Sequence, residues 1–154
     1  MDENIKKNLL LQAEEFEEAY KRCARGENPY KDETGRIVYH AVNLPAVVNA
    51  AFSCELYLKF LIGSKCSEHD LERLFQRLNP KLQNEIRDEI ASEIQGYPLS
   101  FHELLKRAKD VFKEWRYLYE RPHTDTYLNV YINEYLIFLP LFIETLKRRA
   151  HEMM

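Results

Sequence analysis

The sequence has few of the residues that punctuate short strands and loops: its 154 residues include only four glycines and six prolines. This scarcity favours long helices over a many-stranded sheet. The three cysteines are far apart and form no CxxC pair, which argues against a disulfide framework or a zinc knuckle. The sequence also has no Gly-rich phosphate loop, no GxSxG elbow and no HExxH motif. We therefore expect neither a bound metal nor a cofactor.

The sequence has no excess of positive charge and no long hydrophobic run. With 22 basic and 25 acidic residues the net charge is -3, which argues against a strongly cationic nucleic-acid binder but leaves room for a local basic patch. The opening MDENIKKNLL lacks the apolar stretch of a signal peptide. The longest apolar run, residues 135–143, is far short of the roughly 20 residues that span a membrane. These features predict a reduced, cytoplasmic, soluble protein without membrane contact.

The apolar residues, 45% of the chain, follow helical periodicity, and we predict one all-α domain over residues 1–154. The expected architecture is an up-and-down bundle of about six helices. Their predicted bounds are 2–25, 44–62, 68–77, 80–95, 100–121 and 126–152.

Capping signals set several of these bounds. Glycines at positions 26, 63 and 96 each follow a helical pattern, as expected for a left-handed residue after a helix. Asn79 before Pro80 predicts an N-cap with proline in the first turn. Ser67 with Asp70, and Ser100 with Glu103, have the spacing of a capping box.

Two segments depart from a regular helical pattern. The connection over residues 26–43 is long for a compact helical domain, so we expect a functional flap or a small hairpin, with a turn at Asp32 to Gly35. The last helix is apolar nearly all round, which predicts burial in the bundle or pairing with another subunit. Pro140 should kink this helix.

The first candidate site is Arg116 with His123, in the stretch RYLYERPH. On the predicted fifth helix Arg116 lies at the rim of the apolar arc, and Pro122 predicts that the helix ends near residue 121, which places His123 in the following turn. A fixed cation beside a group that titrates near neutrality suits metal-free RNA cleavage. The alternative is an ordinary i,i+4 ion pair of Arg116 with Glu120.

The second candidate is Glu55 with Lys59, in SCELYLKFLI. Glu55 shares its helix face with apolar side chains, and a buried carboxylate needs a partner such as Lys59 one turn on. The pair is either a polar device directed towards the fifth helix and its arginine, or an i,i+4 pair on a surface edge. For His69, in the first turn of the third predicted helix, a structural hydrogen bond is favoured over catalysis.

The order of these segments resembles that of HEPN domains, small helical bundles found in bacterial toxins, abortive-infection proteins and RNA-cleaving effectors. The resemblance covers residues 44–150. It rests on AAFSCELYLKFLIG, then SEHDLERLFQRL, then WRYLYERPH leading into a hydrophobic final helix.

The resemblance implies a homodimeric, metal-independent endoribonuclease of a bacterial defence or toxin–antitoxin system. Arg116 and His123 would be catalytic, meeting across the dimer seam, and Glu55 would be a supporting polar residue. Active members usually carry Asn, Asp or His directly after the arginine, where this chain has Tyr117. RNA is the implied substrate, and an antitoxin is a candidate protein partner.

Two other interpretations stay open. The first is a non-catalytic HEPN-like module that holds a protein or nucleotide partner, an interpretation that Tyr117 and the acidic net charge favour. The second is a plain helical bundle unrelated to HEPN domains, for which the sequence offers no site.

Overall fold

The structure, a computed structural model, describes residues 1–25, 30–38, 43–115 and 125–154. Within these ranges the chain is an all-α helical bundle, as predicted. The helices are α1 (Glu3–Arg25), α2 (Asn43–Ile62), α3 (Leu71–Gln76), α4 (Pro80–Glu93), α5 (Phe101–Ala108), α6 (Val111–Glu114) and α7 (Asp125–Glu152). Between α1 and α2 in sequence, β1 (Tyr30–Lys31) and β2 (Ile37–Val38) form a two-stranded antiparallel pair.

Helix α2 is the central element of the bundle. It packs most extensively against α1 and α7. By length and composition α2 is apolar enough to cross a membrane, but 67% of its apolar stretch is buried inside the protein. This burial is typical of the core helix of a bundle, because an apolar helix surface in water is unfavourable.

Two of the predicted helix starts are confirmed, and one is wrong. The Asn79 side chain accepts a hydrogen bond from the Leu82 amide, and α5 begins with a complete capping box between Ser100 and Glu103. Helix α3, in contrast, is capped by Asp70 and begins at Leu71, three residues later than predicted. The Glu68 carboxylate accepts the amides of residues 69 and 70, which holds this segment as a loop.

The predicted fifth helix is interrupted at residues 109 and 110. Its described part consists of α5 and the four-residue α6, where the sequence predicts one helix from residue 100 to 121. The Lys109 carbonyl accepts a hydrogen bond of 3.0 Å from the Leu71 amide at the start of α3. A carbonyl that accepts a hydrogen bond from another helix is not available for the i to i+4 hydrogen bonds of its own helix. The amphipathic pattern of the sequence does not reveal such a contact.

The segment before α2 contains a small hairpin, one of the two predicted alternatives. Asp32 organises its turn: the carboxylate accepts the amides of Thr34 and Arg36 at 2.8 and 3.0 Å. Gly35 has φ +79°, a left-handed conformation that favours glycine. The hydrogen bond from the Thr34 hydroxyl and those from the backbone lower the pKa of Asp32.

Helix α7 continues through Pro140 without a break in its assignment. The kink expected at Pro140 stays a prediction. Around the middle of α7, Phe138 and Phe142 stack with ring centroids 5.4 Å apart. Both rings also contact Phe101 of α5, and Phe142 contacts Phe75 of α3. This aromatic cluster joins α3, α5 and α7.

A buried carboxylate ties α1 to both of its neighbours. Glu17 is 6% exposed and accepts hydrogen bonds from Lys21, from Lys147 of α7 and from the Tyr57 hydroxyl of α2. Burial alone would raise the pKa of Glu17, but the hydrogen bonds from Lys21 and Lys147 outweigh it and lower this pKa. The Tyr57 hydroxyl is buried as well, and this burial, together with the nearby Glu17 charge, raises the pKa of Tyr57.

Replacement of this carboxylate by an amide should therefore destabilise the bundle. We expect Glu17→Gln to lower the free energy of unfolding by about 2 kcal/mol at neutral pH, since charge-assisted hydrogen bonds are lost. The advantage of the wild type should be complete above the unfolded-state pKa of about 4.3 and should vanish as the pH falls through the lower folded-state pKa.

Urea denaturation at several pH values measures this difference. Glu18→Gln is the matched control, because Glu18 pairs with Arg22 on the exposed side of the same helix. An equal loss of stability in both variants, or a Glu17→Gln effect that does not change with pH, would contradict the assignment.

Candidate functional site

The catalytic candidates Arg116 and His123 lie outside the described residues, as do Tyr117 and Glu120. Their geometry therefore stays a prediction. The structure does place the two remaining candidates, Glu55 and Lys59, on α2, and it brings a further residue to them.

Glu55 and Lys59 form an ion pair inside the protein. The Lys59 ammonium donates to Glu55 Oε1 over 2.7 Å, and the Glu55 side chain is 1% exposed. Lys59 itself is 13% exposed. The pair thus has the predicted i,i+4 spacing, but burial of Glu55 rules out the alternative of an exposed pair on a helix edge.

His69 is the third member of this cluster. Its Nδ1 lies 2.9 Å from the same Glu55 oxygen, although the two residues are 14 positions apart. An ionised carboxylate can only accept, so Nδ1 carries the proton and Nε2 is left without one in the neutral ring. The His69 side chain is 54% exposed. We name Glu55, Lys59 and His69 the α2 polar cluster.

One oxygen of the α2 polar cluster has no partner among the described residues. Glu55 Oε2 is buried and accepts no hydrogen bond from them, while Oε1 accepts two. An unsatisfied buried polar atom costs on the order of 1–3 kcal/mol. Glu134 Oε2 and Arg149 Nε are in the same state, so the unpaired oxygen alone does not distinguish this cluster from the rest of the bundle.

The α2 polar cluster lies beside α6. Phe52, one turn before Glu55, stacks on Phe112 of α6 with ring centroids 4.1 Å apart. The His69 ring centroid is 6.5 Å from that of Phe112. The described part of this segment ends at Trp115, and Arg116 is the next residue in the sequence. The cluster therefore borders the segment that leads into the candidate arginine.

A pocket of about 700 Å³ opens over the same residues. Its apolar wall comes from α1 and α2, and its polar wall from Lys59 and the loop between α2 and α3. Besides the α2 polar cluster, the lining includes Ile5, Leu9, Phe52, Leu56, Ser64, Lys65 and Ser67. Among the described residues, no group of three or more His, Cys, Asp or Glu side chains is placed to hold a metal ion.

Sequence reasoning missed two polar contacts of the bundle. The pairing of His69 with Glu55 depends on the loop after α2 and has no signal in helical spacing. The burial of Glu17 does have a signal, because Leu10, Ala13 and Glu17 follow one another at intervals of three and four on the buried face of α1.

No protein-family model matches the chain, and no significant match is found to a curated protein or to a solved structure.

The burial of the Glu55–Lys59 ion pair predicts strong coupling between these two charges. We expect Lys59→Met to lower the free energy of unfolding by about 3 kcal/mol, because it leaves the Glu55 carboxylate buried without its cation. The double variant Glu55→Gln/Lys59→Met should lose clearly less than the sum of the two single variants, since both charges are then absent.

Urea denaturation of the wild type, Glu55→Gln, Lys59→Met and the double variant completes this double-mutant cycle. The matched control is the cycle of Glu85 and Lys81, which have the same spacing of four residues but lie 3.9 Å apart with Lys81 88% exposed. If the losses of free energy of unfolding in the two single variants add up to the loss in the double variant, the buried pair is not coupled. A coupling energy no larger than that of the control cycle would lead to the same conclusion.

Proposed function

We propose that the protein is a HEPN-like, metal-independent endoribonuclease of a bacterial defence or toxin–antitoxin system. The all-α bundle is compatible with this assignment. One observation carries the proposal: residues from separate segments of the resemblance meet in space. Glu55 and Lys59 come from ELYLK, His69 comes from the HDL segment, and the three form the α2 polar cluster.

The position of the α2 polar cluster favours a role for Glu55 and Lys59 in orienting the catalytic residues. A buried ion pair is costly to assemble and is weak evidence of stability, so its presence favours a role in organising a site. The cluster adjoins α6 through Phe52 and Phe112, and the chain after α6 carries Arg116 and then His123. This arrangement suits a scaffold that orients the catalytic segment.

The proposed reaction needs only proton transfer and charge stabilisation. The 2′-hydroxyl oxygen of RNA attacks the adjacent phosphorus, its proton goes to a base, and the P–O5′ bond breaks as the leaving oxygen receives a proton. His123 serves as the general acid/base, and the Arg116 guanidinium stabilises the negative charge on the pentacoordinate phosphate. The products are a 2′,3′-cyclic phosphate and a free 5′-hydroxyl.

A homodimer belongs to the same proposal, with Arg116 and His123 contributed across the subunit seam. Helix α7 supplies the support for a subunit contact: Ile137 is 50% exposed on a helix whose neighbouring residues Phe138 and Leu139 are fully buried. A subunit contact at Ile137 would remove this exposed apolar side chain from water.

A non-catalytic binding module is the second candidate function. Tyr117 favours it, because active members of the family usually carry Asn, Asp or His at that position. In this case the same bundle holds a protein or nucleotide partner and leaves RNA intact.

The proposal predicts that the purified protein cuts RNA in the presence of EDTA and leaves 2′,3′-cyclic phosphate ends. His123→Ala and Arg116→Ala should each reduce the cleavage rate at least 100-fold, a typical cost of removing an acid/base or a charge-stabilising group. Gel assays with end analysis, together with thermal melts, make the measurement.

The matched controls are His102→Ala and Arg87→Ala, whose side chains are 69% and 52% exposed in the described structure. The controls should cut RNA at the wild-type rate, and none of the four variants should melt differently. Cleavage by His123→Ala at the wild-type rate would refute its role, and intact RNA with the wild type would favour the binding module.

A further inference from the structure

The pocket over the α2 polar cluster combines an apolar wall with unpaired polar groups. Ile5 and Leu9 of α1 lie one turn apart and line it together with Phe52 and Leu56 of α2. Ile5 is 36% exposed, and neither Leu9 nor Phe52 is fully buried. A concave apolar surface left open in this way can take up the hydrocarbon part of a ligand.

The charged side chains of the lining add up to a single positive charge. Lys59 and Lys65 contribute two positive charges and Glu55 one negative charge, with His69 counted as neutral. The Lys59 charge is already compensated by Glu55 at 2.7 Å. Lys65 is exposed and forms no ion pair with any other residue of the described chain. Among the described side chains of the pocket, the uncompensated charge is therefore that of Lys65.

The loop that carries Lys65 also offers hydrogen-bond donors. The Ser64 and Ser67 side chains line the pocket and make no hydrogen bond within the described ranges. The acid on this loop, Glu68, is occupied, because it accepts the amides of His69 and Asp70. The polar wall thus presents hydroxyl donors and the uncompensated Lys65 ammonium, which together complement a negatively charged head group.

We propose that this pocket binds a small carboxylic acid with an apolar body. The carboxylate contacts Lys65 and the serine hydroxyls, and the hydrocarbon lies on Ile5, Leu9 and Phe52. The volume of about 700 Å³ is in the range of pockets for small organic molecules. The proposal does not depend on ribonuclease activity.

Calorimetric titration of the full chain with decanoate, decanol and decylamine tests the head group that the pocket prefers. We expect decanoate to bind at least tenfold more tightly than decanol, which has the same tail without the charge, and decylamine to bind most weakly. Decyl phosphate, which carries a second charge, should gain no more than a few-fold over decanoate.

Two variants and their controls locate the binding. Lys65→Glu and Ile5→Asp should each weaken decanoate binding at least tenfold, and both positions are exposed enough for the variants to fold. Lys81→Glu on α4 and Leu11→Asp on α1 are the controls, because neither residue lines this pocket. These controls should bind decanoate like the wild type.

Four results would overturn the proposal, the last of them with decyl phosphate. The first is no heat of decanoate binding at millimolar concentration. The second is equal affinity for decanol and decanoate, which would mean adsorption to an apolar surface only. The third is unchanged decanoate affinity in Lys65→Glu and Ile5→Asp, both shown to be folded by circular dichroism. Decyl phosphate binding more than tenfold above decanoate would replace the carboxylate class by a dianion.

Discussion

The buried carboxylate of Glu55 is the constraint on which the arrangement of this end of the bundle depends. A charge inside the apolar body of α2 is unfavourable unless cations and donors surround it. Lys59 and His69 meet that requirement at 2.7 and 2.9 Å through the same oxygen. Because His69 must reach Glu55, the loop after α2 is held over the helix, and its other side chains form one wall of the pocket.

A second buried carboxylate, Glu17, acts in the same way on another face of α2. Glu17 gathers donors from α1, α2 and α7, whereas Glu55 gathers them from α2 and its following loop. The two acids differ in how many of their carboxylate oxygens are hydrogen-bonded. Both oxygens of Glu17 accept hydrogen bonds, whereas in the described part of the chain only Oε1 of Glu55 does. We regard Glu17 as a structural tie and the α2 polar cluster as part of the proposed site.

Features within single helices could be predicted from the sequence, and contacts between elements largely could not. The caps at Asn79 and Ser100 need only neighbouring residues, so their spacing sufficed. The break at Lys109 depends on a bond to Leu71, which no helical period encodes. Glu55 and Lys59 were found as a pair by spacing, but their burial and the approach of His69 follow from packing. The catalytic roles of Arg116 and His123 remain proposals.

The most direct test of this account is the tautomer of His69, read from long-range ¹H–¹⁵N correlations at a pH alkaline enough for a neutral ring. If Glu55 holds His69 as described, the proton resides on Nδ1 and Nε2 is bare, and Glu55→Ala removes this preference. A His69 ring protonated on Nε2 in the wild type, or one unaffected by Glu55→Ala, would contradict the α2 polar cluster on which the proposed site is built.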